Sequence, residues 1–166
     1  TISAGADADI LIFSNIPFPA DVINECKQLK LISVAFTGVD HIDMETCRKN
    51  GITVCNAAGY STQSVAELTI NLMFSLLRNT VQNESRTRNF EGRNGFTGIE
   101  LKGKTVGIIG AGAIGQAVGK ICNDAFQCEV LYYNRSHKDF ECGELVSLND
   151  LLKESDIVSL HLPINE

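Results

Sequence analysis

The stretch Lys104–Arg135, KTVGIIGAGAIGQAVGKICNDAFQCEVLYYNR, determines how this chain folds. Its short apolar run Val106–Ile109 is typical of a buried strand. Three glycines in the spacing G-x-G-x-x-G follow, then a helical pattern and a second strand, Glu129–Tyr133. Strand, glycine turn, helix and strand in this order predict a dinucleotide-binding unit. An ordinary strand-to-helix turn without a ligand is the alternative.

Each glycine of the motif has a distinct physical role. Gly110 permits a tight turn, Gly112 lets the backbone approach a pyrophosphate, and Gly115 allows close packing of helix and strand. The helix that follows presents unpaired N–H groups and a partial positive charge at its N-terminus. The motif therefore predicts that phosphates bind where this helix begins.

The end of the second strand indicates which dinucleotide is bound. An acidic residue at this position would bind the ribose 2′-hydroxyl of NAD. The chain instead has Asn134, Arg135 and Ser136. A neutral residue removes repulsion against a 2′-phosphate, and an arginine supplies a charge-assisted partner for it. We therefore predict NADP as the cofactor, with NAD as the alternative if Asn134 binds the ribose and Arg135 is a solvated turn residue.

Composition excludes several classes of protein. With 44% hydrophobic and 20% charged residues among 166, the chain can form a folded core. The net charge of −6 argues against a nucleic-acid or acidic membrane surface. Its longest apolar helical segment contains Glu67 and Asn71, which is unsuited to a membrane span. The six cysteines include no C-x-x-C pair, so we expect buried free thiols, no metal ligands and a cytoplasmic location.

The rest of the chain alternates between strands and helices, which predicts an α/β fold with parallel sheets. Helices are expected at Ala20–Leu29, from an Asp43 cap to Asn50-Gly51, at Thr62–Arg78, and from a Ser147 cap to Lys153. A domain boundary is expected near residue 57. The predicted strands are 9–13, 31–37, 52–55, 105–109, 128–133 and 156–161.

The longest predicted helix, residues 62–78, has a wide apolar face. Val65, Leu68, Leu72 and Leu76 form one stripe at helical spacing, and Met73 and Leu77 widen it. This stripe could belong to the core of the protein. Alternatively, it could form a contact with another domain or subunit.

Five segments together resemble one family: TGVDHID, NAAGYSTQSVAEL, ELKGKTVGIIGAGAIG, YYNRS and DIVSLHLP. This combination is similar to the D-isomer-specific 2-hydroxyacid dehydrogenases, which include phosphoglycerate dehydrogenase and glyoxylate/hydroxypyruvate reductase. The resemblance implies a partial flavodoxin-like substrate domain, residues 1–57, and a partial Rossmann coenzyme domain, residues 58–166. It also implies hydride transfer between NAD(P)H and a small 2-keto or 2-hydroxy acid.

The resemblance assigns further residues to binding. Thr37 and Gly38 match the loop that faces the substrate carboxylate, and Tyr60 occupies a substrate-side loop. Ala113 and Ile114 match the residues over the pyrophosphate. The family's homodimers use the helix that corresponds to residues 62–78. Beside the nicotinamide ribose lie the residues that match Leu162 and Pro163.

The resemblance assigns no catalytic residue to this chain. The family's substrate-binding arginine, its acid/base histidine and the glutamate paired with that histidine lie in later motifs, which are absent here. His161, in the HLP motif, is not the catalytic histidine. The chain is therefore expected to be a fragment of a longer enzyme, truncated at both ends and inactive alone. The alternatives are a nucleotide-sensing, co-repressor-like binding protein on the same fold, and the product of a broken gene.

Overall fold

The computed structural model describes residues 6–92, 95 and 97–162. The chain divides into two compact units, Thr1–Ser61 and Thr62–Glu166. The division follows Ser61, whereas the sequence suggests a boundary near residue 57. The assignment of the two parts as substrate and coenzyme domains stays a prediction.

Unit 1 is a three-stranded parallel sheet with two short helices. Its strands lie side by side in chain order, β1-β2-β3. Apolar side chains from β2 and both helices form its core, including Ile23, Ile32, Val34 and Cys47, which are almost fully buried. The elements are β1 (Ile10–Phe13), α1 (Ala20–Glu25), β2 (Leu31–Val34), α2 (Met44–Lys49) and β3 (Thr53–Asn56).

Helix α2 begins and ends where the sequence predicts. The Asp43 carboxylate accepts a hydrogen bond from the Thr46 N–H at 2.8 Å. This bond holds the pKa of Asp43 below its usual value. At the other end Asn50 is the C-cap, and Gly51 adopts a left-handed φ of 69°. A glycine tolerates that conformation at no steric cost, so the helix stops there.

Unit 2 is a four-stranded parallel sheet with helices. Its strand order is β6-β5-β4-β7, which corresponds to the order 3-2-1-4 within a Rossmann sheet. Strands β4 and β7 pair in parallel from Val106↔Ile157 to Ile109↔Leu160. The elements are α3 (Thr62–Leu77), α4 (Thr80–Arg88), β4 (Thr105–Ile109), α5 (Ala113–Phe126), β5 (Glu129–Tyr133), β6 (Glu144–Leu145), α6 (Leu148–Glu154) and β7 (Ile157–Leu160).

The core of unit 2 lies between α5, α3 and the strands β4 and β5. Val106, Ile108, Val118 and Cys122 are inaccessible to solvent. Helix α5 approaches β5 closely because Gly119 has no side chain, and a Cβ there would overlap the Tyr132 hydroxyl. The contact at Gly119 holds α5 against β5, the strand that follows it, and the parallel pairing of all four strands confirms the predicted α/β class with parallel sheets.

The apolar stripe of α3 does not enter this core. Leu68 and Leu72 are each 54% exposed and Leu76 is 80% exposed. The residues of α3 that face the core are on another side: Ala66 and Met73 are buried, and Ile70, Phe74 and Leu77 pack against the core. Helix α3 is therefore a core helix, but it packs through Met73, Leu77 and their neighbours rather than through Leu68, Leu72 and Leu76, because it carries apolar residues on two sides. Its use as a contact with another subunit stays a prediction.

Two predicted elements are shorter than expected. Helix α1 ends at Glu25 rather than Leu29, where Cys26, Lys27 and Leu29 donate turn-type backbone hydrogen bonds instead. Strand β2 ends at Val34 rather than Thr37, because Thr37 belongs to a loop joined to β3 by a side-chain hydrogen bond. The two-residue strand β6 was not predicted, since two residues show no periodicity.

Candidate cofactor-binding site

The turn between β4 and α5 requires glycine at two positions. Gly110 has a φ of 101°, a conformation that side chains rarely adopt, and a Cβ there would overlap the carbonyl oxygen of His161. At Gly115, in the first turn of α5, a Cβ would overlap the carbonyl oxygen of Gly110. These two glycines therefore allow the strand, the turn and the helix to pack together.

At position 112, neither packing nor backbone angles require a glycine. Gly112 is the N-cap of α5, with φ −76° and ψ −172°, angles that any residue adopts. Among the described residues, and apart from Gly112 itself and its two neighbours in the chain, no atom lies within 4 Å of the position that a Cβ would take. The space at the start of α5 is therefore open toward solvent, and the absence of a side chain at Gly112 keeps it open.

The N-terminus of α5 can bind an anion. The first N–H groups of a helix have no partner within it, and the helix dipole makes this end positive. No side chain in the described part of the chain caps the N-terminus of α5. The N–H groups near Ala113 and Ile114 are thus free of a competing cap. Open space and available donors fit a dinucleotide pyrophosphate.

The peptide groups of Ala111 fix the shape of the turn. Its N–H donates to Asn134 Oδ1 at 3.2 Å. Its carbonyl oxygen accepts from Gln116 Nε2 at 3.0 Å and from Lys138 Nζ at 3.1 Å. Sequence reasoning missed Gln116 and Lys138 as residues that hold the turn. The Gln116 bond is local, five residues along the chain, whereas the Lys138 bond depends on how the loop after β5 folds back and has no sequence signal.

The end of β5 lies next to this turn. Ile109 pairs with Tyr133, and the Gly110 N–H donates to the Tyr133 carbonyl oxygen at 2.9 Å. Asn134 is half-buried, whereas Arg135 and Ser136 are exposed. The structure thus brings the three residues predicted to select the cofactor close to the glycine turn.

The end of β7 reaches the same turn. The His161 N–H donates to the Ile109 carbonyl oxygen at 2.8 Å, and the Leu162 side chain lies next to Gly110. The His161 ring is 3.0 Å from the Ser159 hydroxyl, and burial lowers the pKa of this histidine. Burial therefore favours the neutral form of the His161 ring. The predicted residue Pro163 lies outside the described residues.

The predicted substrate residues lie at one edge of unit 1. Asn56, at the end of β3, donates from Nδ2 to the Thr37 carbonyl oxygen at 2.7 Å. The Thr37 hydroxyl is 3.3 Å from that of Ser61, and the Ala57 N–H donates to the Phe36 carbonyl oxygen. These bonds join the loop that contains Thr37 and Gly38 to the loop that contains Tyr60. The Tyr60 side chain is 61% exposed.

The cysteines form no second reactive centre in the described structure. All six lie among the described residues and are free thiols, and four of them are buried. Burial raises the pKa of Cys122 to about 12, so its thiol stays protonated.

In the part of the chain that the structure describes, no three His, Cys, Asp or Glu side chains are grouped to bind a metal. A bilayer-spanning helix is likewise not found among residues 6–92, 95 and 97–162.

Comparison with known proteins tests the resemblance. Residues 70–166, more than half of the chain, match the family described as D-isomer specific 2-hydroxyacid dehydrogenase, NAD binding domain. The chain belongs to this family. The match includes the glycine turn, the β5 tip and the end of β7, which together form the site described above.

Individual relatives agree with this assignment. The chain is 41% identical to D-3-phosphoglycerate dehydrogenase of Methanocaldococcus jannaschii, with 95% of this chain and 31% of the relative aligned. An acyclic imino acid reductase, Bsp5, in complex with NADPH and D-Arg is 34% identical, with a TM-score of 0.91 over 99% of this chain and 54% of that chain. D-lactate dehydrogenase from Aquifex aeolicus, complexed with NAD and lactic acid, is 32% identical, with a TM-score of 0.89 over 99% and 51%.

The aligned fractions also show how much of each relative's length this chain spans. The chain spans about half the length of the two solved structures and less than a third of the phosphoglycerate dehydrogenase. The two solved structures also differ in the cofactor they contain, NADPH in one and NAD in the other. Membership of the family therefore leaves the preferred dinucleotide open.

Proposed function

We propose that the protein containing this chain is an NADP-dependent oxidoreductase that interconverts a small 2-keto acid and the corresponding D-2-hydroxy acid. The single observation that carries the proposal is the turn from β4 to α5. Gly110 and Gly115 pack it tightly, while Gly112 leaves the positive end of α5 accessible. Family membership and relatives named as dehydrogenases and reductases support the reaction type.

In this proposal, residues around the turn hold the cofactor. The N–H groups of the first turn of α5, near Ala113 and Ile114, bind the pyrophosphate across Gly112. Leu162, whose side chain lies beside Gly110, borders the nicotinamide ribose, and Pro163 does so next to it. The nicotinamide, when bound, supplies or accepts the hydride.

The preference for NADP is proposed from the tip of β5. Arg135 and Ser136 are exposed and close to the turn, and Asn134 carries no charge that would repel a 2′-phosphate. The arginine guanidinium is more weakly hydrated than an ammonium group, and it can form two parallel hydrogen bonds to a phosphate. NAD would be preferred if a carboxylate occupied the position of Asn134.

The substrate side is proposed to lie in unit 1. The backbone N–H groups at Thr37 and Gly38 would bind the substrate carboxylate, as consecutive N–H groups at a turn can. Tyr60, exposed in the adjoining loop, would border the same substrate. The hydrogen bond from Asn56 to Thr37, and the one between the hydroxyls of Thr37 and Ser61, hold these two loops together before substrate binds.

We assign no catalytic residue to this chain. His161 is half-buried, and burial favours its neutral form. It also lies 3.0 Å from the Ser159 hydroxyl, which orients its ring. These features suit a strand-end histidine that supports β7 beside the turn. Protonation of the substrate oxygen is therefore left to residues outside this chain.

A homodimer and a cytoplasmic location complete the proposal. The exposed stripe Leu68, Leu72 and Leu76 on α3 would be covered by a second copy, since such an apolar surface favours association. The six free thiols suit a reducing compartment.

The test is turnover by the protein that contains this chain. NADPH oxidation should depend on an added 2-keto acid, with glyoxylate, hydroxypyruvate and pyruvate as trial substrates. The isolated chain of residues 1–166 should bind NADPH weakly and oxidise none of it. Turnover by the isolated chain, free of longer enzyme, would contradict the assignment of catalysis to other residues. NADPH binding without turnover in the whole protein would favour a nucleotide-sensing role instead.

A further inference from the structure

One side chain connects the two parts of the proposed cofactor site. Asn134 Oδ1 accepts a hydrogen bond from the Ala111 N–H in the glycine turn, at 3.2 Å. Its Nδ2 donates to the Ser136 carbonyl oxygen at 2.9 Å and lies 3.1 Å from the Ser136 hydroxyl. Both ends of the amide are therefore used by the chain itself.

Resting on the proposed function, we propose that Asn134 is a positioning residue for cofactor preference. Its bond to Ala111 holds the glycine turn. Its bonds to Ser136 hold Arg135 and Ser136, the two residues proposed to bind the 2′-phosphate. Asn134 acts on the cofactor through these neighbours rather than by binding the ribose itself.

The bond to Ala111 is difficult to exchange for a contact with a ligand. Ala111 is fully buried, so its N–H would lose its partner if Asn134 turned toward the ribose. A buried donor without a partner is strongly unfavourable. The Ala111 carbonyl oxygen is also held, by Gln116 and Lys138. The acceptor end of Asn134 is therefore committed to the turn.

The donor end of Asn134 orders an exposed segment. Arg135 and Ser136 are both exposed and follow directly after the strand. Fixing the Ser136 carbonyl oxygen restricts the backbone on both sides of it, and so also orients Arg135. A segment that is ordered beforehand loses less conformational freedom when a phosphate binds. The amide of Asn134 therefore favours the 2′-phosphate by preorganisation.

Asn134→Asp would separate the effect of Asn134 on the glycine turn from its effect on Ser136. The new carboxylate could still accept from the Ala111 N–H, so the turn would be kept. It could not donate to the Ser136 carbonyl oxygen, and its charge would repel a 2′-phosphate. Asn134→Ala, in contrast, would remove both links.

The first measurement is amide hydrogen exchange at Ala111 in the protein without cofactor. Loss of one ordinary hydrogen bond should accelerate local exchange about three- to tenfold in Asn134→Ala. Asn134→Asp should keep the wild-type exchange rate. The matched control is Asn123→Ala, about three helical turns along α5 from Gly112, which should leave Ala111 unchanged.

The second measurement is a double-mutant cycle on NADPH dissociation constants with Asn134→Ala and Ser136→Ala. If Asn134 positions Ser136, then Ser136→Ala should weaken binding about three- to tenfold in the wild type, but less than about twofold in Asn134→Ala. Asn134→Asp should weaken NADPH binding while keeping binding of NADH. In Asn134→Asp, slow amide exchange at Ala111 together with weakened NADPH binding is not expected from general destabilisation of the fold.

The outcomes separate this inference from the proposed function. Unchanged exchange at Ala111 in Asn134→Ala, or an equal cost of Ser136→Ala in both backgrounds, would overturn the positioning role while NADP binding stands. A wild-type protein that binds neither dinucleotide would overturn the proposed function and the cofactor preference derived from it. The exchange measurement needs no cofactor, so it still tests the link between Asn134 and the turn.

Discussion

Helices α2 and α5 both follow a central parallel strand, yet their N-termini are capped differently. In α2, the carboxylate of Asp43 accepts the Thr46 N–H at 2.8 Å, so the chain supplies its own negative charge. In α5, the N-cap is Gly112, and the described residues provide no side-chain cap. The loop before α2 spans residues 35–43, whereas only 110–112 separate β4 from α5.

The difference shows how similar strand–helix connections can serve structure or binding. In α2 the Asp43 side chain satisfies one of the unpaired N–H groups and places its own negative charge there, which disfavours an external anion. An uncapped N-terminus approached by a short glycine turn leaves its donors accessible to one. In α5 this exposure is combined with tight packing behind the turn, at Gly110 and Gly115. The first three predictions test the parts of this contrast separately.

The largest effect is expected from Gly110→Ala. The new Cβ would overlap the His161 carbonyl oxygen, and the residue would keep a φ of 101°. We expect the free energy of unfolding to fall by about 3 kcal/mol or more. Denaturant unfolding of purified protein measures this loss. A change below about 0.5 kcal/mol would show that the turn is not held by close packing.

Gly112→Ala should separate binding from stability. Its Cβ would meet no described atom within 4 Å, and its backbone angles suit alanine. The free energy of unfolding should change by less than about 1 kcal/mol. NADPH binding should weaken about tenfold or more, because the methyl group lies where the pyrophosphate must approach. Unaltered NADPH affinity in the folded variant would place the phosphates elsewhere.

Asp43→Asn should have the smallest effect, and it depends on pH. The pKa of Asp43 is lowered in the folded protein, mainly by the Thr46 N–H, from an ordinary value of 3.8. The carboxylate therefore adds stability above pH 3.8 that is lost as pH falls through the lower, folded pKa. Asparagine keeps a cap without titrating, so the variant should lose less stability on acidification. Melting curves of both proteins across that range measure the difference, and parallel curves would contradict the capping role.

Much of the fold could be predicted because local and global signals agree. The apolar run Val106–Ile109 and the glycine spacing gave β4, the turn and α5, and caps at Asp43 and Ser147 gave two helix starts. The face of α3 that packs was predicted only in part, since apolar residues occupy two of its sides. Met73 and Leu77 pack against the core, whereas Leu68, Leu72 and Leu76 are exposed. The end of β2 was misplaced because Thr37 is held by Asn56, a contact distant in sequence.

The positions of the candidate site residues could be predicted from the sequence, but the hydrogen bonds between them could not. The motif and the strand tip identified the glycines, Asn134, Arg135 and Ser136. The bonds that Asn134 and Lys138 make to Ala111 arise only when the β5 tip and the loop after it meet the β4 turn. A residue type limits the hydrogen bonds that a side chain can form, but the fold chooses among them.

The most direct test of the central claim is titration of the protein that contains this chain with NADPH and NADH, for wild type and Arg135→Ala. We expect wild type to bind NADPH about tenfold or more tightly than NADH, because a charge-assisted bond contributes roughly 1.5–3 kcal/mol, reduced by exposure and salt. Arg135→Ala should weaken NADPH and leave NADH nearly unchanged. An equal loss of both cofactors would show that Arg135 acts structurally, and tighter binding of NADH by wild type would contradict the NADP assignment.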